Sequence, residues 1–391
     1  MTKFIETRKY NSLQDPGNKA KKVEVSSLLG DEEISESVRQ SVDWIPIECS
    51  VDGSKEVIRL FKEIKNKKFD EEISTKEIRL IGFTDEQQII LGFVVKDDAD
   101  EISYTATGIY SFDSIFLDDL FCLDKFAGYC LRTNQKDLLI DNITRLLNDS
   151  HEVTKKYRFI EGKKEDEVYL RALTSSRYKN YDNNIVLYLS LNAIHRYSEK
   201  TKNPAYIEQA LITDSSLVMN VKLKNKISLG KRYQVEIGIK VSNSEIREGA
   251  VLFDLIYTIV DSNGMRSTAI GDSILDVRHN LNMQMVKRRL RFLDDLETKS
   301  KDFLQGIDEV RLTEKLDADQ LSVIFNKLAG PRVRGVGADV KQELNRISGD
   351  ITENTYSLLE LFNKLEAIDA SVDDKTYIQR RFSDFLTKGF K

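Results

Sequence analysis

The residues of this sequence best suited to act on a partner are cations at regular spacing. Lys222, Lys224 and Lys226 alternate with Val221, Leu223 and Asn225 in the stretch LVMNVKLKNKI. On an extended strand, a period of two stands all three ammonium groups on one face. Lys287, Arg288, Arg289 and Arg291 crowd into the start of a helical pattern. Arg171, Arg177, Tyr178 and Lys179 belong to a polar, aromatic-rich connection, RALTSSRYKNYDNN. Cations track phosphates and aromatic rings stack on bases, so the chemistry expected is binding of a single nucleic-acid strand. Lys222, Lys224, Lys226, Arg288, Arg289 and Arg291 are expected to contribute to one basic surface. The competing reading is solvated charge beside structural tyrosines.

The distribution of charge sharpens that expectation. The chain carries a net charge of −5. Residues 1–150 hold 20 Lys+Arg against 29 Asp+Glu, 151–290 hold 23 against 16, and 291–391 hold 16 against 19. A basic middle between acidic flanks favours an anionic partner.

Other constellations are weaker. Gly330-Pro331-Arg332-Val333-Arg334-Gly335-Val336-Gly337 has the glycines of an anion-cradling loop, with a helix expected from Ala338. It lacks the Gly-Lys-Ser/Thr ending of a nucleotide-binding loop, so an interhelix break is the simpler reading. Asp254, Asp261, Asp272 and Asp276 invite comparison with a carboxylate metal site. Among 64 acidic residues such a cluster arises readily by chance. His151, His195 and His279 are far apart in sequence, and Arg278-His279 reads as a helix approach. The three cysteines, Cys49, Cys122 and Cys130, have no metal-ligand spacing and are expected as reduced thiols. No cofactor is expected. No apolar run approaches the ~20 residues that span a bilayer, and MTKFIETRKYNS lacks a signal-peptide core. The expected setting is a cytoplasm.

The elements that must position these groups centre on Tyr233 to Met265. Val235, Ile237, Ile239 and Val241 alternate with polar residues, as in a half-buried strand. Val251 to Val260 is more continuously apolar, as in a strand covered on both faces. A polar turn, 243–249, separates them, and Asn263-Gly264 signals a hairpin. Before this meander, 54–68 and 185–197 read as helices. Short strands are expected at 78–80, 89–95, 102–109, 157–160 and 167–173. Two helices are expected between Phe116 and Ser150. A helical period begins at Asn282 and runs into a helical tail.

Several of these segments resemble a phage- and plasmid-borne family catalogued as domain of unknown function 932, over roughly 110–390. The paired helices of Leu117–Leu147 are similar to that family's. Arg171-Ala172-Leu173-Thr174-Ser175-Ser176-Arg177-Tyr178 resembles its "RA-x-x-S-x-R-Y" run, followed by Asp182-Asn183. Asn243-Ser244-Glu245 resembles its "NSE" turn and Asn263-Gly264-Met265 its "NGM" turn. Arg278-His279 and Leu361-Phe362-Asn363 resemble a later pair and a late helix. Ser262 stands where many members have cysteine, which argues against metal or redox chemistry at that turn. The resemblance implies a mobile-element origin and a bacterial cytoplasm, with no established activity.

The fold expected is α+β: a central antiparallel sheet with flanking helices. Its divisions are a flexible arm (1–40), a small α+β domain (41–110), a sheet-and-helix domain (111–310) and a helical tail (311–391). The expected function is non-enzymatic binding or annealing of single-stranded DNA by a phage or plasmid protein that forms a homo-oligomer and contacts no membrane. The rivals are a protein-binding structural or host-interaction role and a metal-dependent nucleic-acid enzyme.

Overall fold

A computed structural model describes residues 5–14, 17–30, 33–96, 101–149, 151–164, 167–246, 250–277, 282–291, 293, 296–307 and 309–390. The strands are β1 Thr7–Asn11, β2 Val51–Asp52, β3 Lys68–Ser74, β4 Ile78–Phe83, β5 Ile89–Lys96, β6 Glu101–Gly108 and β7 Thr154–Glu161. They continue with β8 Val168–Thr174, β9 Ala205–Thr213, β10 Ser216–Leu229, β11 Tyr233–Ser244, β12 Val251–Asp261 and β13 Arg266–Val277. The fold is α+β. One sheet has the order β1-β9-β10-β11-β12-β13, with β2 added parallel to β9. The other has the order β3-β7-β8-β6-β5-β4. Among the described residues, its one parallel pairing is β6 with β8.

The meander forms as its alternation requires. β11 and β12 are antiparallel, with Val235 opposite Ile259, Ile237 opposite Tyr257 and Ile239 opposite Leu255. Val235, Ile237 and Ile239 are buried. The turn into β13 differs in detail from the simplest Asn-Gly hairpin. Gly264 alone takes a positive φ, 84°, and its N–H donates to the Asp261 carbonyl at 3.1 Å. The Asp261 carboxylate accepts from the N–H groups of Asn263 and Met265 at 2.9 and 2.8 Å. A left-handed glycine after such a turn is the usual three-residue hairpin loop.

Helix Asn183–Thr201 is buried nearly all round, its polar Ser190, Asn192, His195 and Ser198 included. It packs beside β2, β9 and β11. Helix Val372–Lys388 packs on β13. The two lie on opposite faces of the sheet. Asn243 of β11 donates to the Tyr181 carbonyl and to Asn183 Oδ1, at the start of the first helix. Lys240, three residues earlier and so on the other face, donates to Thr376 of the second.

Two expected divisions and one expected helical run are corrected. The segment expected as a flexible arm contributes β1, which pairs along β9 from Thr7 to Asn11. It also supplies buried Tyr10, Val25, Leu28 and Leu29. Asp15, Pro16, Asp31 and Glu32 of that segment, and 247–249 of the polar turn, lie outside the described residues. The small domain does not end at 110: β7 and β8 complete its sheet, and the helices Phe112–Phe121, Asp124–Arg132 and Lys136–Asp149 share its core. Helix Ser54–Lys62 belongs instead to the larger core, through Val57 and Ile58. Finally, the helical run after Asn282 is two helices, Met283–Leu290 and Leu296–Gln305.

A buried ion network joins the two sheets. Arg158 on β7 donates to both Asp182 oxygens at 2.8 and 2.7 Å and to both Asp70 oxygens at 3.1 Å. It also donates to the Glu245 carbonyl at 2.8 Å. Glu245, just past β11, accepts from Arg171 of β8 at 2.5 Å and from Lys68 of β3 at 2.8 Å. Its other oxygen accepts the Asn183 N–H at 2.8 Å, at the first turn of the long helix. Three cations meet three carboxylates. Burial raises the Asp182 carboxyl, but Arg158, Arg171 and Lys68 outweigh it and hold it below its ordinary range.

Two predictions follow from these elements. A Cβ on Gly264 meets nothing within 4 Å, so its cost is the backbone alone. Gly264→Val is expected to destabilise by about 1 kcal/mol or more in denaturant titration. An unchanged midpoint would mean the turn tolerates a side chain. Glu245→Ala leaves Arg171 and Lys68 without their shared carboxylate, and is expected to cost about 3–5 kcal/mol. Glu245→Gln should cost less. The Asp182 contribution is complete above the ordinary carboxylate range and is lost as pH falls through its depressed value. Equal unfolding midpoints for wild type and Glu245→Ala would refute the network's role.

Candidate nucleic-acid interface

The tail helix Val372–Lys388 builds one wall of a groove on the larger unit. Its apolar positions Ile378, Phe382, Phe385 and Leu386 are buried, and Ser371 with Asp374 forms its capping box. A flanking stripe, Tyr377, Arg381, Asp384 and Lys388, recurs at three- and four-residue spacing. Helix Leu296–Gln305 forms the facing wall. Its Phe303 stacks on Tyr257 of β12 with centroids 3.9 Å apart and planes within 5°. Between the walls lies a groove of about 790 Å³ floored by Leu255, Tyr257, Ile270 and Gly271.

Electrostatics fixes the helix over this groove. Arg380 donates to Asp254 at 2.8 Å, and Asp254 also accepts from Ser273. Burial brings the Lys240 amine down to about 8, opposed by the charges of Asp254 and Asp373. Burial likewise raises the Tyr257 hydroxyl to about 12. On the rim, Asp384 accepts from Arg381 at 2.9 Å and from Lys388 at 2.7 Å.

A second chamber of about 480 Å³ continues the groove, sharing Tyr377 and Arg381 with it. Its other walls are Asn326, Lys327 and the loop 332–335. Lining residues of the two chambers include the cations Lys299, Lys327, Arg332, Arg334, Arg380, Arg381 and Lys388, against Asp272, Asp302 and Asp384. Tyr257 is buried beneath Phe303, so the rings that reach this surface are Phe303 and Tyr377, and rings beside cations are the composition that accommodates a single strand. The sequence signal for it was the stripe along the tail helix and the two arginines flanking Val333.

The cations singled out in the sequence are placed elsewhere, and several are corrected. Lys222 is 2% exposed, with its ammonium 2.8 Å from Glu208 and 3.1 Å from Glu236. Lys226 reaches the same Glu236 at 2.8 Å, while Lys224 pairs with Asp52 at 2.8 Å. The pairing register shifts between Lys222 and Lys226, so the strict alternation is broken there. Arg171 is buried in the junction network. Tyr178 lies under the Arg158 guanidinium, 5.3 Å from centroid to carbon. Arg177 and Lys179 are exposed. On helix Met283–Leu290, Arg288 is exposed, Lys287 is half-buried and Arg289 donates to the Asp276 carbonyl. Arg291 follows, exposed.

These groups do not make one surface. The Glu236 row runs through Thr258 to Thr268, whereas Arg289 is anchored at Asp276. Eight residues of β13 separate those points, roughly 26 Å at the rise of a strand. The carboxylates also disperse: Asp254 is held by Arg380, and Asp261 caps its own turn. Among the described residues no group of three or more His, Cys, Asp or Glu side chains is placed to hold a metal ion. The pair Arg278-His279 lies outside the described residues. His195 is buried and accepts or shares a hydrogen bond with Ser50, and burial lowers its pKa. No helix among the described residues is long and apolar enough to cross a membrane.

No protein family, curated protein or solved structure matches this chain.

Lys222 therefore carries a stability prediction. Burial raises Glu236, but the hydrogen bond from Lys226 and the charges of Lys222 and Arg266 hold it below its usual range. Lys222→Gln is expected to destabilise by about 1.5–3 kcal/mol, as for the loss of a hydrogen bond to a charged group. Lys224→Gln, at an exposed pair, should change stability by under about 1 kcal/mol. Similar losses for both would contradict the placement of Lys222.

Proposed function

We propose that this protein binds single-stranded nucleic acid, without turnover, in the groove between helices Leu296–Gln305 and Val372–Lys388. The observation that carries the reading is the groove's make-up: the half-buried rings of Phe303 and Tyr377 on its walls and an excess of cations among its lining residues, in a chain whose net charge is −5. Rings offer stacking that any base accepts, and a locally positive groove concentrates an anionic strand on an acidic protein. Strand annealing by a phage- or plasmid-encoded protein is the task that fits non-specific capture of this kind. The apolar pair Val23 and Ile47, 71% and 79% exposed, supports the rival reading of a protein-binding role. The Lys22 N–H donates to the Ile47 carbonyl at 2.7 Å, so the segments that carry the two side chains are joined through their backbones.

The test is fluorescence anisotropy of a labelled oligonucleotide with hydroxyl ends, titrated at several salt concentrations. Binding should weaken linearly in log[salt], with a slope of roughly −0.7 per phosphate contact. Lys299→Gln with Lys388→Gln should make the slope shallower by up to about 1.4. Circular dichroism serves as the folding control. An absence of wild-type binding at low salt would remove this reading and leave the protein-binding one.

A further inference from the structure

We propose that the chamber under the loop Gly330–Gly337 is a phosphomonoester site. In the reading above it takes the terminal phosphate of a bound strand, so this inference rests on that reading for its natural ligand. The site itself stands on separate observations.

Its charge is one-sided. Lys327, Arg332, Arg334 and Arg381 line a volume of about 480 Å³, and no carboxylate shares that lining. The larger groove beside it carries Asp272, Asp302 and Asp384. Arg332 and Arg334 are exposed and have no hydrogen-bond or ion-pair partner among the described residues. Arg381 is shared with Asp384 at 2.9 Å, so the unneutralised charge at this end is that of Arg332 and Arg334.

The loop is held in shape from behind. The Val333 N–H donates to the Gly330 carbonyl at 3.0 Å, and the Val333 carbonyl accepts from Lys341. Gly335 lies against the Tyr377 ring, where an added Cβ would sit 2.5 Å from a ring carbon. Tyr377 in turn donates to the Lys327 carbonyl at 2.8 Å, and the Arg381 guanidinium lies 4.9 Å from its ring centre. Lys327 and Arg381 are thus positioned through the same tyrosine that braces the arginine loop.

The helix beginning at Ala338 is not the anion site. Its Gly337 N–H is taken by Asp374 at 2.7 Å. Recognition falls to side chains, and arginine forks match the oxygens of a phosphate two at a time. A phosphodiester offers one charge and two free oxygens. A phosphomonoester offers about −1.5 to −2 and three oxygens, with a second pKa of about 6. A chamber that presents Arg332 and Arg334 beside Lys327 and the Asp384-paired Arg381 favours the denser anion.

The experiment uses the full chain. One oligonucleotide sequence is compared with hydroxyl ends, a 5′-phosphate or a 3′-phosphate, by anisotropy at pH 7.5. One phosphorylated form is expected to bind about tenfold tighter, as for a gained contact between charged groups. The preference should shrink as pH falls below about 6, where the monoester loses its second charge. Arg332→Gln with Arg334→Gln should abolish the discrimination between ends, whatever it does to overall affinity. In a second arm, pyrophosphate alone should raise the melting temperature of wild type, but not of the double variant, beyond a sulfate control of equal ionic strength. If no oligonucleotide binds but this difference persists, the strand-binding reading fails and the phosphate site stands. If end phosphates make no difference and pyrophosphate acts alike on both proteins, the site is refuted.

Discussion

The contact on which this structure most depends is the exchange among Arg158, Arg171, Asp70, Asp182 and Glu245. Arg158 and Arg171 are inaccessible to water, and Glu245 nearly so. Removing ions from water costs several kcal/mol each, and the cost is offset only where partners are close and well aligned. Here Arg158 meets two carboxylates and a carbonyl, so its donors are matched in place. The geometry can be met only when β3, β7 and β8 approach the end of β11 and the start of helix Asn183–Thr201. The network therefore specifies how the two sheets are joined, more than it adds to stability.

A second constraint propagates from it. The Glu245 carboxylate caps the first turn of the long helix by accepting the Asn183 N–H, and Asn243 holds the same turn from β11. This helix fills one face of the larger sheet and leaves the other to the C-terminal helices. There Lys240 and Asp254 of the sheet, with Thr376 and Arg380 of the tail helix, set the height of that helix over β13. The groove is the space that remains between this helix and the Phe303–Tyr257 stack. Its shape is thus fixed by polar contacts on one side and by an aromatic pair on the other.

Local pattern made much of the fold legible. The alternation of Val235, Ile237 and Ile239 was enough to place β11, because side chains on a pleated strand change face at every residue. Asn263-Gly264 marked its turn, although Gly264 alone takes the left-handed conformation. The segment from Ala205 to Thr213 was not read as a strand, yet β9 links β1, β2 and β10. Its role depends on partners distant in sequence, and so does that of β1. The division at 110 failed for the same reason, since β6 is completed by β8 across the three intervening helices.

The candidate site was less legible, and Lys222 shows why. A period of two states which residues share a face, but not what faces them. Glu208 and Glu236 come from the strands on either side of β10, and pairing brings them onto the same ammonium. Lysines that looked like a ladder for phosphates instead neutralise carboxylates of the sheet itself. Arg171 follows the same logic through Glu245. By contrast, Arg332 and Arg334 sit in a loop whose neighbours contribute Lys327 and Arg381, so folding adds like charge around them. Where folding supplies the opposite charge, a basic run becomes scaffold. Where it gathers further cations around exposed arginines, as at Arg332 and Arg334, the chain's own carboxylates neutralise the surface only in part.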